Sequence, residues 1–359
     1  MGRARGFGVA YAVSALGLGL ALWLGGIRSA TVVAMLAVLE VALSFDNAVV
    51  NATVLRRFNE RWQKLFLSVG IIIAVVGMRL VIPMAVLVAA TRRNPADVIR
   101  MSVQDPNNFG HQILAVQPLI ASFGGVFLLM IFMDYFLVRH EQRWLTWFED
   151  IVIRLGERFR ADTLVMAQIV GVLLFLLVAS QTFGHDHPLG VPAAGFTGLI
   201  LYLSIKRLSA AAAGKSESLA DGDATGTPPV GKQAVLLFCY LELLDATFSF
   251  DSVMGGFSVT VDIALFTIGL GVGAAYVRCL TVYLVRKRTL DRYVYLEHGA
   301  YYSIGVLAIL LLVEIGHDVP DWLAALCGTM MIVAAWVHSI VKSRDAPAAQ
   351  VGPPASKPG

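Results

Sequence analysis

Hydrophobic residues in this chain come in long, nearly unbroken runs, not in the alternating or one-faced patterns of a water-soluble fold. Runs long enough to cross about 30 Å of hydrocarbon fall near 7–26, 30–54, 65–90, 113–138, 163–183, 190–205, 234–257, 262–285, 299–316 and 320–341. The pattern predicts ten membrane-spanning helices. The first is expected to be retained, because its uncharged stretch is long for a signal peptide and no small-x-small cleavage site follows. Between the runs, residues 92–111 read as one long outer loop, with Asn94-Pro95 and Asp105-Pro106 as turn signals and Gly110-His111 toward its end. Residues 139–162 read as an amphipathic helix at the inner surface, and the tail from about 345 reads as disordered.

Composition sharpens this into an all-α polytopic membrane protein. With 57% hydrophobic and 15% charged residues and a mean hydropathy of +0.72, the chain cannot hide its apolar surface in one soluble core. A bilayer is its expected partner, and a nucleic acid is not. The three cysteines, Cys239, Cys279 and Cys327, lie in apolar runs without metal-ligand spacing and read as small packing residues. Of the 28 lysines and arginines, 22 fall on one side of a ten-span arrangement, 4 on the other (Arg28, Arg92, Arg93, Arg100), and Arg79 and Arg278 inside spans. That sorting places both termini in the cytoplasm.

One motif occurs twice, 205 residues apart: Glu40-Val-Ala-Leu-Ser44-Phe-Asp46-Asn47 and Asp245-Ala-Thr-Phe-Ser249-Phe-Asp251-Ser252. On a regular helix Glu40, Ser44, Asn47 and Asn51 share one face, and Glu242, Asp245, Ser249 and Ser252 draw the same stripe in the second copy. Asp46 and Asp251 point about 120° away from those stripes. Other spacings repeat as well. Gly70 precedes Arg79 and Gly269 precedes Arg278 by nine residues, and so do Gly125 before Asp134 and Gly305 before Glu314, with Ser122 and Ser303 just upstream. Five spans per half is an odd number, so the halves would enter the membrane in opposite senses, as two inverted five-helix repeats with a site where they meet. The predicted divisions are 1–207 for the first half with the sixth span, 208–232 for a cytoplasmic linker, 233–342 for the rest of the second half and 343–359 for the tail.

Seven carboxylates lie within spans: Glu40, Asp46, Asp134, Glu242, Asp245, Asp251 and Glu314. Arg79 and Arg278 are the expected charge partners, too few to balance them. Since each charge at a helix centre costs roughly 2.5–3.5 kcal/mol facing lipid, these acids must face inward, be protonated, or hold something positive. Carboxylate, amide and hydroxyl oxygens without thiolate suit hard divalent ions such as Mn²⁺, Ca²⁺ or Mg²⁺, and protons are the other candidate. Ser44, Ser249, Ser122 and Ser303 read equally as helix-packing residues.

At these motifs the chain resembles the TerC-like integral membrane proteins, named for tellurium resistance and grouped with lysine-exporter-type transporters. The resemblance implies a metal site of Glu40, Asp46, Asn47, Asp245 and Asp251, to which Glu242 is added from the sequence, with Ser44, Asn51, Ser249, Ser252, Asp134 and Glu314 as accessory positions. It implies export of a divalent cation, with Mn²⁺ favoured, across a bacterial inner (plasma) membrane; the surplus carboxylates and the lack of a Walker-type loop point to exchange for protons, and no resident cofactor is expected. Val253-Met254-Gly255 stands where Ile-Pro-Ala is usual in that family, so any break of the second motif helix is expected at Gly255-Gly256. Export of an amino acid or organic cation, with Tyr240, Phe45, Phe248 and Phe250 as an aromatic lining, is the alternative, as is a membrane subunit of a tellurite- or metal-stress complex. An intramembrane aspartyl protease lacks its Gly-x-Gly-Asp element here, so no enzymatic activity is expected.

Overall fold

The computed structural model describes residues 7–137, 144–147, 149–151, 154, 169–178, 189–213 and 229–345. All regular structure among the described residues is helical. In chain order the helices are α1 (Gly8–Leu43), α2 (Phe45–Leu55), α3 (Glu60–Thr91), α4 (Pro95–Gln104), α5 (Pro106–Ala115), α6 (Gln117–Leu137) and α7 (Ile169–Val178). They continue as α8 (Gly190–Ala213), α9 (Gly231–Val259), α10 (Ile263–Arg286), α11 (Thr289–Arg292), α12 (Leu296–Glu314) and α13 (Asp321–Asp345). Six of them, α1, α3, α6, α10, α12 and α13, are long and apolar enough to cross a membrane. The helix α9 has the length, at 29 residues, but carries Glu242, Asp245 and Asp251 in its middle.

The distribution of side chains is that of a helical membrane protein. Leu16, Trp23, Ile27 and Val38 stand exposed on the outside, whereas Glu40, Asp46, Asn47, Asn51, Arg79, Glu242, Asp245 and Arg278 are buried. Water would penalise that outer surface and hydrocarbon would not. At 1.5 Å per residue, α1 would be about 54 Å long, far more than one crossing needs. It is two rods: Gly25 and Gly26 leave helical geometry, and Gly26 adopts φ +68°, which glycine reaches without a Cβ clash.

Local chemistry accounts for the other irregularities. Ser44, at φ −106° and ψ 16°, separates α1 from α2 in the middle of the first motif. In α3 the segment Ile73–Val81 is π-helical, closed by Ile82 N–H on Gly77 O. Pro83 lies just beyond it; its missing N–H and its ring displace the i→i−4 ladder at residue 79, and the wider turn absorbs the mismatch.

Three expectations need correction. The stretch 92–111 is no loop but mostly two helices. Asn94 caps Ala96 N–H and Asp105 caps Asn108 N–H, with Pro95 and Pro106 at the first helical positions, where a missing N–H costs nothing. The same Asn-Pro and Asp-Pro pairs that signal turns are also helix starts. The second motif helix does not break at Gly255-Gly256 but continues to Val259, since neither glycine is forced out of the α region by a following proline. The stretch 208–213 belongs to α8 and not to a linker. Residues 214–228, the tail from 346, and most of the predicted amphipathic helix at 139–162 lie outside the described residues.

At the centre, α9 touches α1, α2, α3, α6, α8, α10 and α13. Around it, α10 runs along α1, α2 and α3, while α12 packs between α6 and α13 and α6 packs on α8.

Candidate functional site

The two motifs meet in the middle of the bundle, and the arginines decide how. Arg79, aimed inward from the π-helical turn of α3, forms a buried ion pair with Glu40 and donates to Ala74 O at 3.0 Å. Ser44 Oγ donates to the same Glu40 Oε1 at 3.1 Å, across the break between α1 and α2. In the other half Arg278 of α10 forks onto α9. Its Nη1 and Nη2 reach Glu242 Oε1 and Oε2 at 2.9 and 2.7 Å, and Nη2 reaches Asp245 Oδ2 at 2.6 Å. Phe66 adds its carbonyl at 3.3 Å and its ring face at 4.3 Å from the guanidinium carbon. Each arginine therefore takes the first acid of the motif in its own half. The second also takes Glu242, which has no counterpart because Ala37 stands at the matching position.

Two asparagines tie the halves together. Asn47 and Asn51, one turn apart on α2, both donate their amide N–H to Asp245 Oδ1, at 2.7 and 2.9 Å. The predicted first stripe thus divides at Ser44: Glu40 and Ser44 serve Arg79, and Asn47 and Asn51 serve the acid of the other motif. Asp46, in the first turn of α2, turns to a different side. Its Oδ2 accepts from Ser303 Oγ of α12 at 2.8 Å, and its Oδ1 accepts from Asn47 N–H at 2.9 Å. Position 328 on α13 must be glycine for this approach, since a Cβ there would lie 2.5 Å from Asp46 Oδ2. Gly70 plays the same part for Arg278, where a Cβ would come within 2.2 Å of Nη1.

The remaining predicted positions separate from this centre. Ser249 and Ser252 donate their hydroxyls to backbone carbonyls of their own helix, Asp245 O and Ser249 O, as packing residues do. Ser122 donates to Val191 O between α6 and α8. Asp134 pairs with Lys206 and Glu314 accepts from Gln117, both partners that the sequence reading did not single out. A lysine just beyond the apolar run of residues 190–205 was the available signal for Lys206. Asp251 lies on α9, but its side chain is outside the described residues. The three cysteines are free, but only Cys279 is buried as a core residue should be; Cys327 is half-buried and Cys239 is exposed.

Electrostatically the centre is unbalanced. Among the described side chains, Glu40, Asp46, Glu242 and Asp245 carry four formal negative charges against two positive ones on Arg79 and Arg278, a net of −2. Three buried oxygens of this centre also have no hydrogen-bond donor among the described residues: Glu40 Oε2, Asn47 Oδ1 and Asn51 Oδ1. Oxygens of this kind are costly to bury unsatisfied, and carboxylate and amide oxygens are the ligands of hard cations. Among the described residues no three histidine, cysteine, aspartate or glutamate side chains form a ready-made metal cage. The arrangement is three acids held by two arginines, with oxygens beside them that lack a donor among the described residues.

No curated protein and no solved structure matches the chain. A family model matches residues 45–346, from Phe45 at the start of α2 to just beyond α13, and so takes in both arginines and the second motif but leaves out Glu40 and Ser44. Over that match the chain belongs to the family described as Protein of unknown function (DUF475).

Proposed function

We propose that the chain is a membrane transporter, not an enzyme, and that it exports a divalent cation, with Mn²⁺ favoured, in exchange for protons. The observation that carries this reading is the net −2 of the buried centre's described side chains, together with the oxygens on Glu40, Asn47 and Asn51 that have no donor among the described residues. Two uncompensated buried charges cost on the order of 5 kcal/mol in a membrane interior. One divalent ion or two protons cancel them, and a centre that accepts either in turn is an exchanger. Arg79 and Arg278 act as tethered cations that hold the acids between loadings. Release of Asp245 from Arg278 would add its oxygens to those of Asn47 and Asn51.

The same reading includes ten spans in two inverted repeats at an inner membrane, with both termini cytoplasmic. Each of the ten predicted segments coincides at least in part with a described helix, the first two being the two rods of α1 together with α2. The pairs Arg79 with Glu40 and Arg278 with Asp245 occupy matching positions of the two motifs. The resemblance of the motifs to TerC-like proteins points the same way.

The test is flux into proteoliposomes holding the purified full-length chain. An imposed proton gradient should drive Mn²⁺ against its own gradient, and an uncoupler should stop it. Asp245→Asn should abolish that flux while leaving the protein inserted. Uphill flux of an organic cation with none of Mn²⁺, Ca²⁺ or Mg²⁺ would replace the metal reading, and wild-type flux in Asp245→Asn would remove the site.

A further inference from the structure

On the flank of the bundle a lateral groove of about 690 Å³ runs between α3, α6 and α8, with α9 as its floor. That volume is in the range of pockets that enclose a small organic ligand. Its walls are apolar: Ile82, Val86, Leu119, Ile120 and Phe123 face Leu243 and Ala246 of the floor. Two threonines line it, and neither has a proton left to donate to a guest: Thr197 Oγ1 donates to Ala193 O at 2.8 Å and Thr247 Oγ1 to Leu243 O at 3.0 Å. Ala89, Ala193 and Thr197 are exposed, so the groove opens sideways where hydrocarbon would lie.

One charged residue belongs to the lining. Arg92, directly after α3, sits exposed at one end and has no ion-pair partner among the described residues. Arg93 beside it and Arg100 on the adjoining α4 are exposed as well. They make up three of the four cationic residues that the charge sorting assigns to that side of the membrane. An apolar slot with a guanidinium at one end is complementary to an amphiphile with a chain and an anion. Arginine's planar fork matches a phosphate bidentately, and basic pockets between membrane helices bind anionic headgroups in this way.

We propose that this groove binds an anionic phospholipid, with one acyl chain laid against Leu243, Ala246 and Thr247 of α9 and its phosphate held by Arg92. The chain contacts the face of α9 next to Glu242 and Asp245, so occupancy bears on the helix that carries the second motif. The assignment goes beyond the transport reading and does not depend on it, because its test measures binding and never flux.

Lipid retention by the full-length protein in detergent, read by native mass spectrometry, tests it, with phosphatidylglycerol and phosphatidylcholine of identical chains added in competition. Phosphatidylglycerol should be retained preferentially. Arg92→Gln should lower that preference by about tenfold, as loss of a charge-assisted phosphate contact does, and Arg92→Lys should keep part of it. Ala193→Trp, which fills the groove from its exposed side, should abolish retention of both lipids while helical content stays that of the wild type. Equal retention of the two lipids, unchanged preference in Arg92→Gln, or undiminished retention in a folded Ala193→Trp protein would each overturn the proposal. A free fatty acid retained as well as phosphatidylglycerol would also overturn it, by making the occupant a single-chain carboxylate. If Ala193→Trp does not fold, the Arg92→Gln competition decides alone.

Discussion

Arg278→Met is the substitution whose outcome the geometry fixes most narrowly. The side chain it removes is 1% exposed and makes three charge-assisted hydrogen bonds of 2.6–2.9 Å to Glu242 and Asp245, besides its contacts with Phe66. Methionine fills much of the space but leaves two carboxylates facing each other in the membrane core. Breaking one partner out of a buried ion pair costs about 3–5 kcal/mol, most of it the stranded charge and not the lost contact. If stranded charge is the cause, removing it must help: Arg278→Met combined with Glu242→Gln should be more stable than Arg278→Met alone. The expected coupling between the two sites is roughly 2 kcal/mol of the relieving sign, within the range seen for contacting residues. Arg278→Lys keeps the charge and loses the fork, and should fall in between. Unfolding of each full-length variant in mixed micelles, followed by tryptophan fluorescence and extrapolated to zero denaturant, gives the four free energies of the cycle. Two results would refute the reasoning: a cost below about 1 kcal/mol for Arg278→Met, the level of a surface change, or additivity between Arg278→Met and Glu242→Gln.

Gly70→Ala should destabilise by about 1–3 kcal/mol, the cost of overpacking, because its Cβ would fall 2.2 Å from Arg278 Nη1 and 2.9 Å from Glu242 Oε1; the same unfolding assay checks it, and a neutral result would mean that the arginine has room to move. Gly328→Ala should push Asp46 off Ser303 and reduce Mn²⁺ flux more than Ser303→Ala does, since the first displaces the carboxylate and the second removes one neutral donor. Asn47→Ala with Asn51→Ala should strip Asp245 Oδ1 of both donors and impair uphill flux without changing membrane insertion, which protease protection in vesicles would verify. Reporter fusions after residue 345 should read as cytoplasmic and fusions near 318 as external; the reverse pattern would undo the ten-span arrangement.

Much of this protein is legible in its sequence, because membrane insertion is governed by local quantities. The length and hydropathy of the runs foretell long apolar helices such as Glu60–Thr91, Ile263–Arg286 and Leu296–Glu314, whereas the runs 7–26 and 30–54 divide at different residues, into Gly8–Leu43, kinked at Gly25-Gly26, and Phe45–Leu55. The buried acids and the two arginines identify themselves by being too costly to face lipid. Helix caps were legible in principle too: Asn94-Pro95 and Asp105-Pro106 are helix starts in the structure, but the same pairs also begin turns, and only the packing of α4 against α3 and α5 decides between them.

What the tertiary structure decided is who meets whom. The 3.6-residue period puts Glu40, Ser44, Asn47 and Asn51 on one face, yet a departure at Ser44 and a proline-induced π turn beside Arg79 assign the first two to Arg79. The other two go to Asp245, 198 and 194 residues away. The pairing of Asp46 with Ser303 beside Gly328, the lysine that Asp134 takes and the groove under Arg92 have the same origin. A helix's own sequence sets which way its side chains point. Their partners, and the spaces left between them, arise only when helices distant in the chain pack side by side, because steric fit and charge compensation act through space and not along the backbone.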